Sequence, residues 1–443
     1  MTALEQGLGP QRVPGFVYRK AGRHLLRAAK NFVLCCEDAS LSDLAKRYGT
    51  PLYVYSAAMI RERAQVFAQA FRNVPHTICY SVKANSNLSV LRLLARQGCG
   101  FDVVSGGELE RVLKVERKAA QRTVFSGVGK TRDEMTAALK AGILLFNVES
   151  ESELWTLAEC AARLRKRAPV ALRVNPNVAA DTHPYISTGL RQHKFGVPIS
   201  EARALYAKAS GARNLAVCGV SVHIGSQITE IAPFGEALAR VAELVRELRR
   251  DGHEIDFVDA GGGLGIPYEN GERRDFEDYM RSYARTILSP VRDLGIHLLL
   301  EPGRSIVGPA GVLLTSVLYR KQNDGKQFVV VDAAMNDLLR PALYGAYHEI
   351  VPVVRPIEKR SRMEVVDVVG PVCESGDFFV RDRRVPVVEE GDLMAILDAG
   401  AYGTVLSSNY NTRPRPAEVM VSGKSAKVVR RRETVGEMMR GET

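Results

Sequence analysis

The chain has 443 residues, 46% hydrophobic and 25% charged, which excludes a mainly disordered chain, a collagen-like fibre and a membrane bundle. It can form about two or three domains of ~150 residues, with a core large enough to need no disulfide or metal staple. Its net charge of +11 is concentrated partly in Arg12–Lys30 and Lys424–Arg432, with neither a basic aromatic face nor a nucleic-acid-binding module, so no nucleic-acid partner is expected.

No apolar run reaches about 18 residues, so no membrane span is expected. The first thirty residues are basic but lack an apolar stretch and any serine, so neither a secretory signal nor a transit peptide is expected. The seven cysteines, Cys35, Cys36, Cys79, Cys99, Cys160, Cys218 and Cys373, are irregularly spaced and contain no C-x-x-C. That usage fits a reducing, cytoplasmic setting, with neither a disulfide framework nor a zinc site.

Residues 1–50 are too short to stand alone and are expected to lend strands to a later β domain. From residue 51 to 305, short apolar runs alternate with amphipathic stretches. The runs His76–Lys83, Cys99–Ser105, Thr123–Gly127, Leu144–Glu149, Val170–Pro176, Leu215–Ser226, Phe257–Gly263 and His297–Gly303 read as strands. Ser89–Gln97, Glu108–Arg117, Glu151–Lys166, Glu201–Ser210, Phe234–Arg250 and Phe276–Leu288 carry apolar residues at helical spacing. Eight such units in sequence predict an α/β fold with a closed (β/α)8 TIM-type barrel; an open doubly wound sheet is the alternative. After residue 305 the pattern becomes strand-rich, in Phe328–Met335, Met363–Glu374, Val385–Tyr402 and Glu418–Arg432. Residues 306–443 therefore read as a C-terminal, mostly-β domain.

A barrel keeps its chemistry at the C-terminal ends of its strands and often binds phosphate after the seventh and eighth. The seventh run ends in Asp-Ala-Gly261-Gly262-Gly263-Leu-Gly265 and the eighth in Glu301-Pro302-Gly303-Arg304. Glycines allow an anion close to backbone N–H groups, and Arg304 can add charged hydrogen bonds. The first run ends in Tyr80-Ser81-Val82-Lys83-Ala84-Asn85. A lysine at the rim that faces a phosphate site can form a Schiff base with an aldehyde cofactor. Pyridoxal 5'-phosphate joins phosphate, aldehyde and electron sink in one molecule.

These motifs, with Gly100–Ser105, His223-Ile224-Gly225-Ser226 and Gly370-Pro371-Val372-Cys373-Glu374-Ser375-Gly376-Asp377, resemble the fold-type III pyridoxal-phosphate decarboxylases in order and spacing, from about residue 30 to residue 420. The resemblance implies that Lys83 carries the cofactor and that His223 stacks on its ring. It implies phosphate-facing positions at Ser226, Gly262, Gly263, Gly303 and Arg304, and a ring-nitrogen partner at Glu301. Asp102 and Arg173 are implied as supporting residues. A carboxylate beside the ring nitrogen favours the protonated ring, the better electron sink, and so argues for decarboxylation over racemisation. Cys373 is implied as a proton donor supplied by the partner subunit of a homodimer with shared sites, Glu374 as a binder of a substrate ammonium, and Tyr402 as a contact of cofactor and substrate.

Asn336–Tyr344 resembles the family segment whose arginine and tyrosine, here Arg340 and Tyr344, grip a distal carboxylate together with Arg304. Ornithine has no such carboxylate and would leave buried guanidiniums unpaired. The expected substrate is therefore meso-2,6-diaminopimelate and the product L-lysine. The alternatives are a decarboxylase of the same fold acting on ornithine, arginine, carboxynorspermidine or a D-amino acid, or a non-catalytic cofactor carrier, which would lack the β domain. The loop Gly189–Gly196 follows the family pattern loosely at Gln192-His193 and is expected to cover the site.

Overall fold

The structure is a computed structural model that describes residues 15–20, 31–178, 194–269, 275–356 and 362–443. The chain divides into two compact units. One comprises 62–267 and 272–306; the other comprises 1–61, 268–271 and 307–443.

The first unit is the predicted barrel. Its strands are β1 (His76–Ser81), β2 (Gly100–Val103), β3 (Thr123–Phe125), β4 (Leu145–Val148), β5 (Ala168–Asn175), β6 (Leu215–Val222), β7 (Phe257–Asp259) and β8 (His297–Leu300). Neighbours pair in parallel throughout, β8 returns to β1 with Leu298 opposite His76, and β4 joins β5 with Phe146 opposite Val170. The ring is closed, which removes the open-sheet alternative. Cys79, Val124, Leu145, Ala171 and Leu299, from five strands, pack together fully buried. They are small and medium apolar groups, the kind that fill a barrel interior in layers.

The connecting helices are α1 (Leu88–Ala95), α2 (Gly106–Val115), α3 (Arg132–Ala141), α4 (Glu151–Arg163), α5 (Ile199–Ser210), α6 (Ala232–Arg250) and α7 (Phe276–Leu288). Several begin where a hydroxyl or carboxyl caps the first turn. Ser105 accepts from the Glu108 amide, Ser150 from the Glu153 amide, and Thr131 forms a capping box with Glu134. Ser105 and Ser150 lie just beyond the ends of β2 and β4, so they fix where those strands turn into helix.

The second unit is a mixed sheet in the order Phe378–Pro386, Met363–Val369, Lys326–Val331, Gly311–Asn323, Leu52–Ser56, Ala417–Ser422, Ser425–Arg430. Leu393–Ile396 also pairs with Gly311–Asn323 and joins Ile350–Pro352. Asn31–Cys36 pairs with Phe16–Lys20 and with Val354–Pro356 in a smaller sheet. Leu52–Ser56 lies beyond the sequence-based boundary at residue 50 and yet is a central strand of this sheet. Its alternation is hidden because all five residues are buried. Two long runs are shorter than expected. Met363–Glu374 ends as a strand at Val369, because Pro371 cannot donate to a ladder. Val385–Tyr402 is broken by a turn at Gly391, whose φ of +87° a side chain rarely adopts.

Candidate active site

At the barrel mouth, Val82–Ala84 forms a single 3-10 turn directly after β1 and carries Lys83. The turn is pinned by the Ser81 amide on the Pro302 carbonyl (3.0 Å) and by the Tyr80 hydroxyl on the Asn85 carbonyl (3.0 Å). Lys83 Nζ donates to Asp102 Oδ2 at 2.6 Å, and Ser81 Oγ donates to the same oxygen at 2.8 Å. Asp102, on β2, is fully buried, and its Oδ1 has no hydrogen-bond partner among the described residues. A third of the Lys83 side chain remains exposed, so its amine is held by Asp102 yet accessible.

Glu301 follows β8 and is buried. Its Oε1 accepts from Ser126 Oγ (3.1 Å) and Asn147 Nδ2 (3.3 Å); Asn147 Nδ2 also donates to Asp259 Oδ2 (2.6 Å). Two carboxylates thus share one dry pocket. Burial, then the charge of Glu301, pushes the Asp259 carboxyl far above the carboxylate range. Burial also opposes ionisation of Glu301, but His223, the Lys83 charge and a hydrogen bond shared with Asp259 outweigh it and keep it low. The pair therefore divides its roles: Asp259 holds a proton and Glu301 stays anionic.

His223 leaves the end of β6 half-buried. Its Nδ1 accepts the Gly262 amide at 3.1 Å and lies 3.7 Å from Glu301 Oε2. Desolvation lowers its pKa, so the ring is neutral near pH 7. The glycine turn after β7 admits no side chain: a Cβ on Gly262 would lie 2.1 Å from the Glu301 carbonyl oxygen, and one on Gly263 2.1 Å from the Gly225 carbonyl oxygen. On Gly303 it would lie 2.9 Å from Ala84 Cβ. Arg304 Nη2 donates to Ser226 Oγ at 3.1 Å. An amine, a backbone cradle with a guanidinium, and a buried anion therefore converge on one barrel mouth.

Several polar residues of this mouth were not singled out in the sequence. Glu149 accepts from Arg173 Nη1 (3.0 Å), the Gly127 amide (2.9 Å) and the Gly196 amide (3.1 Å). Glu108 accepts the Val104 amide at 2.8 Å and is raised to about 7, chiefly by burial. Asn147, Glu149 and Asp259 share one legible signal, a polar residue at the end of an apolar barrel strand. Of the loop Gly189–Gly196, residues 189–193 lie outside the described residues.

In the β unit, Arg340 opens the five-residue helix Arg340–Tyr344 and is buried, while Tyr344 is half-buried. Cys373 and Glu374 are exposed on a loop, not in a strand. Asp377 anchors that loop: its Oδ1 accepts the Met335 amide and its Oδ2 the Val372 amide, both at 2.7 Å. The Cys373 amide donates to Asn411 Oδ1 at 2.8 Å. Tyr402 sits at φ +55°, a strained setting for a tyrosine of the kind found at functional sites. Among the described residues, no helix is long and apolar enough to cross a membrane.

Residues 57–308 match the family described as "Pyridoxal-dependent decarboxylase, pyridoxal binding domain". The chain is 53% identical over 410 residues to a diaminopimelate decarboxylase of Pseudomonas aeruginosa, covering 93% of this chain and 97% of that one. Among solved structures it resembles the Helicobacter pylori diaminopimelate decarboxylase complexed with L-lysine. The TM-score is 0.85 and the identity 43%, over 90% of this chain and 98% of that one. The M. jannaschii diaminopimelate decarboxylase, also in complex with L-lysine, matches with a TM-score of 0.86 and 40% identity, over 93% and 96% of the two chains. A match of this length at this identity, on a barrel whose mouth gathers these groups, means that the chain belongs to the diaminopimelate decarboxylase family of pyridoxal-dependent enzymes.

Proposed function

We propose that this protein removes carbon dioxide from one end of meso-2,6-diaminopimelate to give L-lysine, the last step of lysine biosynthesis. Full-length likeness to diaminopimelate decarboxylases carries the reading. The barrel mouth fits pyridoxal 5'-phosphate on its own observations: a cradle that any Cβ would fill, a guanidinium on a hydroxyl beside it, an accessible lysine, and a buried anionic carboxylate. When bound, the cofactor supplies an aldehyde and a ring that accepts the electron pair left behind as carbon dioxide departs.

In this reading Lys83 holds the aldehyde, and Asp102 orients its amine. Gly262, Gly263, Gly303, Ser226 and Arg304 hold the phosphate. Glu301 keeps a proton on the ring nitrogen, because an anion there favours the cationic ring. His223, neutral, lies against the ring, with Tyr402 as a further contact. Cys373 Sγ gives a proton to the carbon that has lost carbon dioxide, and Glu374 takes the substrate ammonium. Arg340, Tyr344 and Arg304 hold the distal carboxylate, for which a guanidinium fork is suited.

The working unit in this reading is a cytoplasmic homodimer whose barrels bear the cofactor and whose β units supply Cys373 and Glu374 to the partner's site. Lys83→Ala and Cys373→Ala, each inactive, should on mixing and subunit exchange recover up to about a quarter of wild-type activity, since half the random pairs have one intact site of two. No recovery after proven exchange overturns the shared site. The substrate is tested by carbon dioxide release from meso-diaminopimelate and, separately, ornithine; release from ornithine alone overturns the reading. Arg340→Ala should raise KM for diaminopimelate by roughly ten- to hundredfold, at about 1.4 kcal/mol per factor of ten.

A further inference from the structure

Arg340 does not stand alone in the β unit. Its Nη1 lies 2.6 Å from His348 Nε2, and its guanidinium carbon lies 4.4 Å from the centre of the Tyr268 ring. His348 is completely buried, and its ring meets Tyr268 edge to face at 5.2 Å. The other ring nitrogen, Nδ1, lies 2.8 Å from the Leu397 carbonyl oxygen, and Arg383 Nη2 donates to the His348 carbonyl at 2.6 Å.

These contacts determine where the imidazole proton is. A carbonyl oxygen only accepts, so Nδ1 carries the hydrogen; a guanidinium only donates, so Nε2 presents its lone pair. A doubly protonated ring would set two donors and two cations 2.6 Å apart. His348 is therefore a neutral acceptor locked in one tautomer. That choice of partner has a consequence for charge. A carboxylate would orient the guanidinium equally well but would neutralise it, and so compete with an incoming anion. A neutral imidazole fixes the direction of Arg340 without bringing a negative charge of its own. The Tyr268 face adds a second restraint through cation–π attraction, again without a formal negative charge.

We propose that His348 is a positioning residue for substrate selection: through its Nε2 lone pair it holds Arg340 ready for the carboxylate that is retained in the product. This rests on the reading of Arg340 given above, and the experiment separates the two. L-Lysine and cadaverine differ only by that carboxylate, so they report on Arg340 without turnover. His348→Phe keeps a ring but removes the acceptor. In the holoenzyme it should raise KM for diaminopimelate and weaken inhibition by L-lysine about tenfold, with kcat within about twofold and inhibition by cadaverine unchanged. His348→Gln, which restores an acceptor near Nε2, should recover most of the loss. On an Arg340→Ala background, His348→Phe should add nothing. An unchanged KM, an equal loss for L-lysine and cadaverine, a glutamine variant no better than phenylalanine, or additive losses would each overturn the proposal. If Arg340→Ala itself leaves KM unaltered, the distal-carboxylate reading of Arg340 fails, and the role of His348 falls with it. If Arg340→Ala raises KM and His348→Phe does not, only the present inference fails.

Discussion

In the barrel unit, the candidate side chains Lys83, Asp102, Arg173, His223, Ser226, Glu301 and Arg304 lie in a parallel strand or within four residues of its C-terminal end. In the β unit, by contrast, Arg340 opens a short helix, Cys373 and Glu374 ride an exposed loop, and Tyr402 occupies a left-handed turn. A closed barrel repeats one geometry eight times, so its strand ends converge without special help. A mixed sheet with out-of-sequence strand order has no such focus. Its candidate segments are held instead by dedicated polar contacts, Asp377 under the Cys373 loop and His348 beside Arg340. Substitutions in the barrel unit should therefore act through lost chemistry or direct steric collision, and those in the β unit through lost anchors.

The largest effect should come from Lys83→Ala, with turnover reduced by about 10³-fold or more, the scale seen when a nucleophile is removed. Borohydride reduction of the loaded wild-type protein followed by peptide mapping should label Lys83; a label on a different lysine breaks the barrel half of the comparison. Next is Gly262→Ala. Its Cβ would fall 2.1 Å from the backbone oxygen of Glu301, which cannot swing away. A cost of about 2–3 kcal/mol and a fall of several degrees in Tm are expected, together with weaker cofactor retention. A variant as stable as the parent in a thermal melt would mean that the turn is not rigid.

Asp377→Ala tests the anchor side. It leaves the Met335 and Val372 amides without their acceptor, at about 1–3 kcal/mol each if they stay dry. kcat should fall about tenfold or more while the cofactor absorbance of the holoenzyme is preserved. Loss of cofactor instead would contradict the division drawn between the units.

The smallest effect concerns pH. Burial raises Asp337 from its ordinary 3.8 to about 7, and Glu108 to about 7. Between about pH 4 and 7 the unfolded chain releases these protons while the folded chain keeps them. Each group therefore subtracts stability as pH rises through that window. Glu301 acts in the opposite direction, its contribution present above its unfolded pKa and lost on acidification. The Tm of Asp337→Asn should decline less than that of the parent between pH 4 and 7, and parallel curves would refute the assignment.

The barrel was legible because strand and helix periods differ and alternate, and because lysine, glycine and Glu-Pro-Gly-Arg motifs sit where strands end. The family resemblance then pointed to Lys83, His223, Glu301, Cys373 and Arg340 as candidates by residue type and order. The β unit was less legible. Leu52–Ser56 is buried on both faces and so has no alternation to read, and the long strand Gly311–Asn323 went unrecognised although it is the spine of the sheet.

What the sequence determined by itself is local: periodicity, capping residues, glycines at strand ends, and the inventory of ionisable groups. Tertiary structure alone decided how those groups share protons and partners. That Asp259 is neutral beside an anionic Glu301, that Asp377 holds the Cys373 loop, and that His348 offers Arg340 a lone pair all depend on contacts between residues distant in the chain or on the dryness of the pocket. Hydrogen-bond direction and desolvation are properties of three-dimensional neighbours, and neither is written in the spacing of residues along a strand.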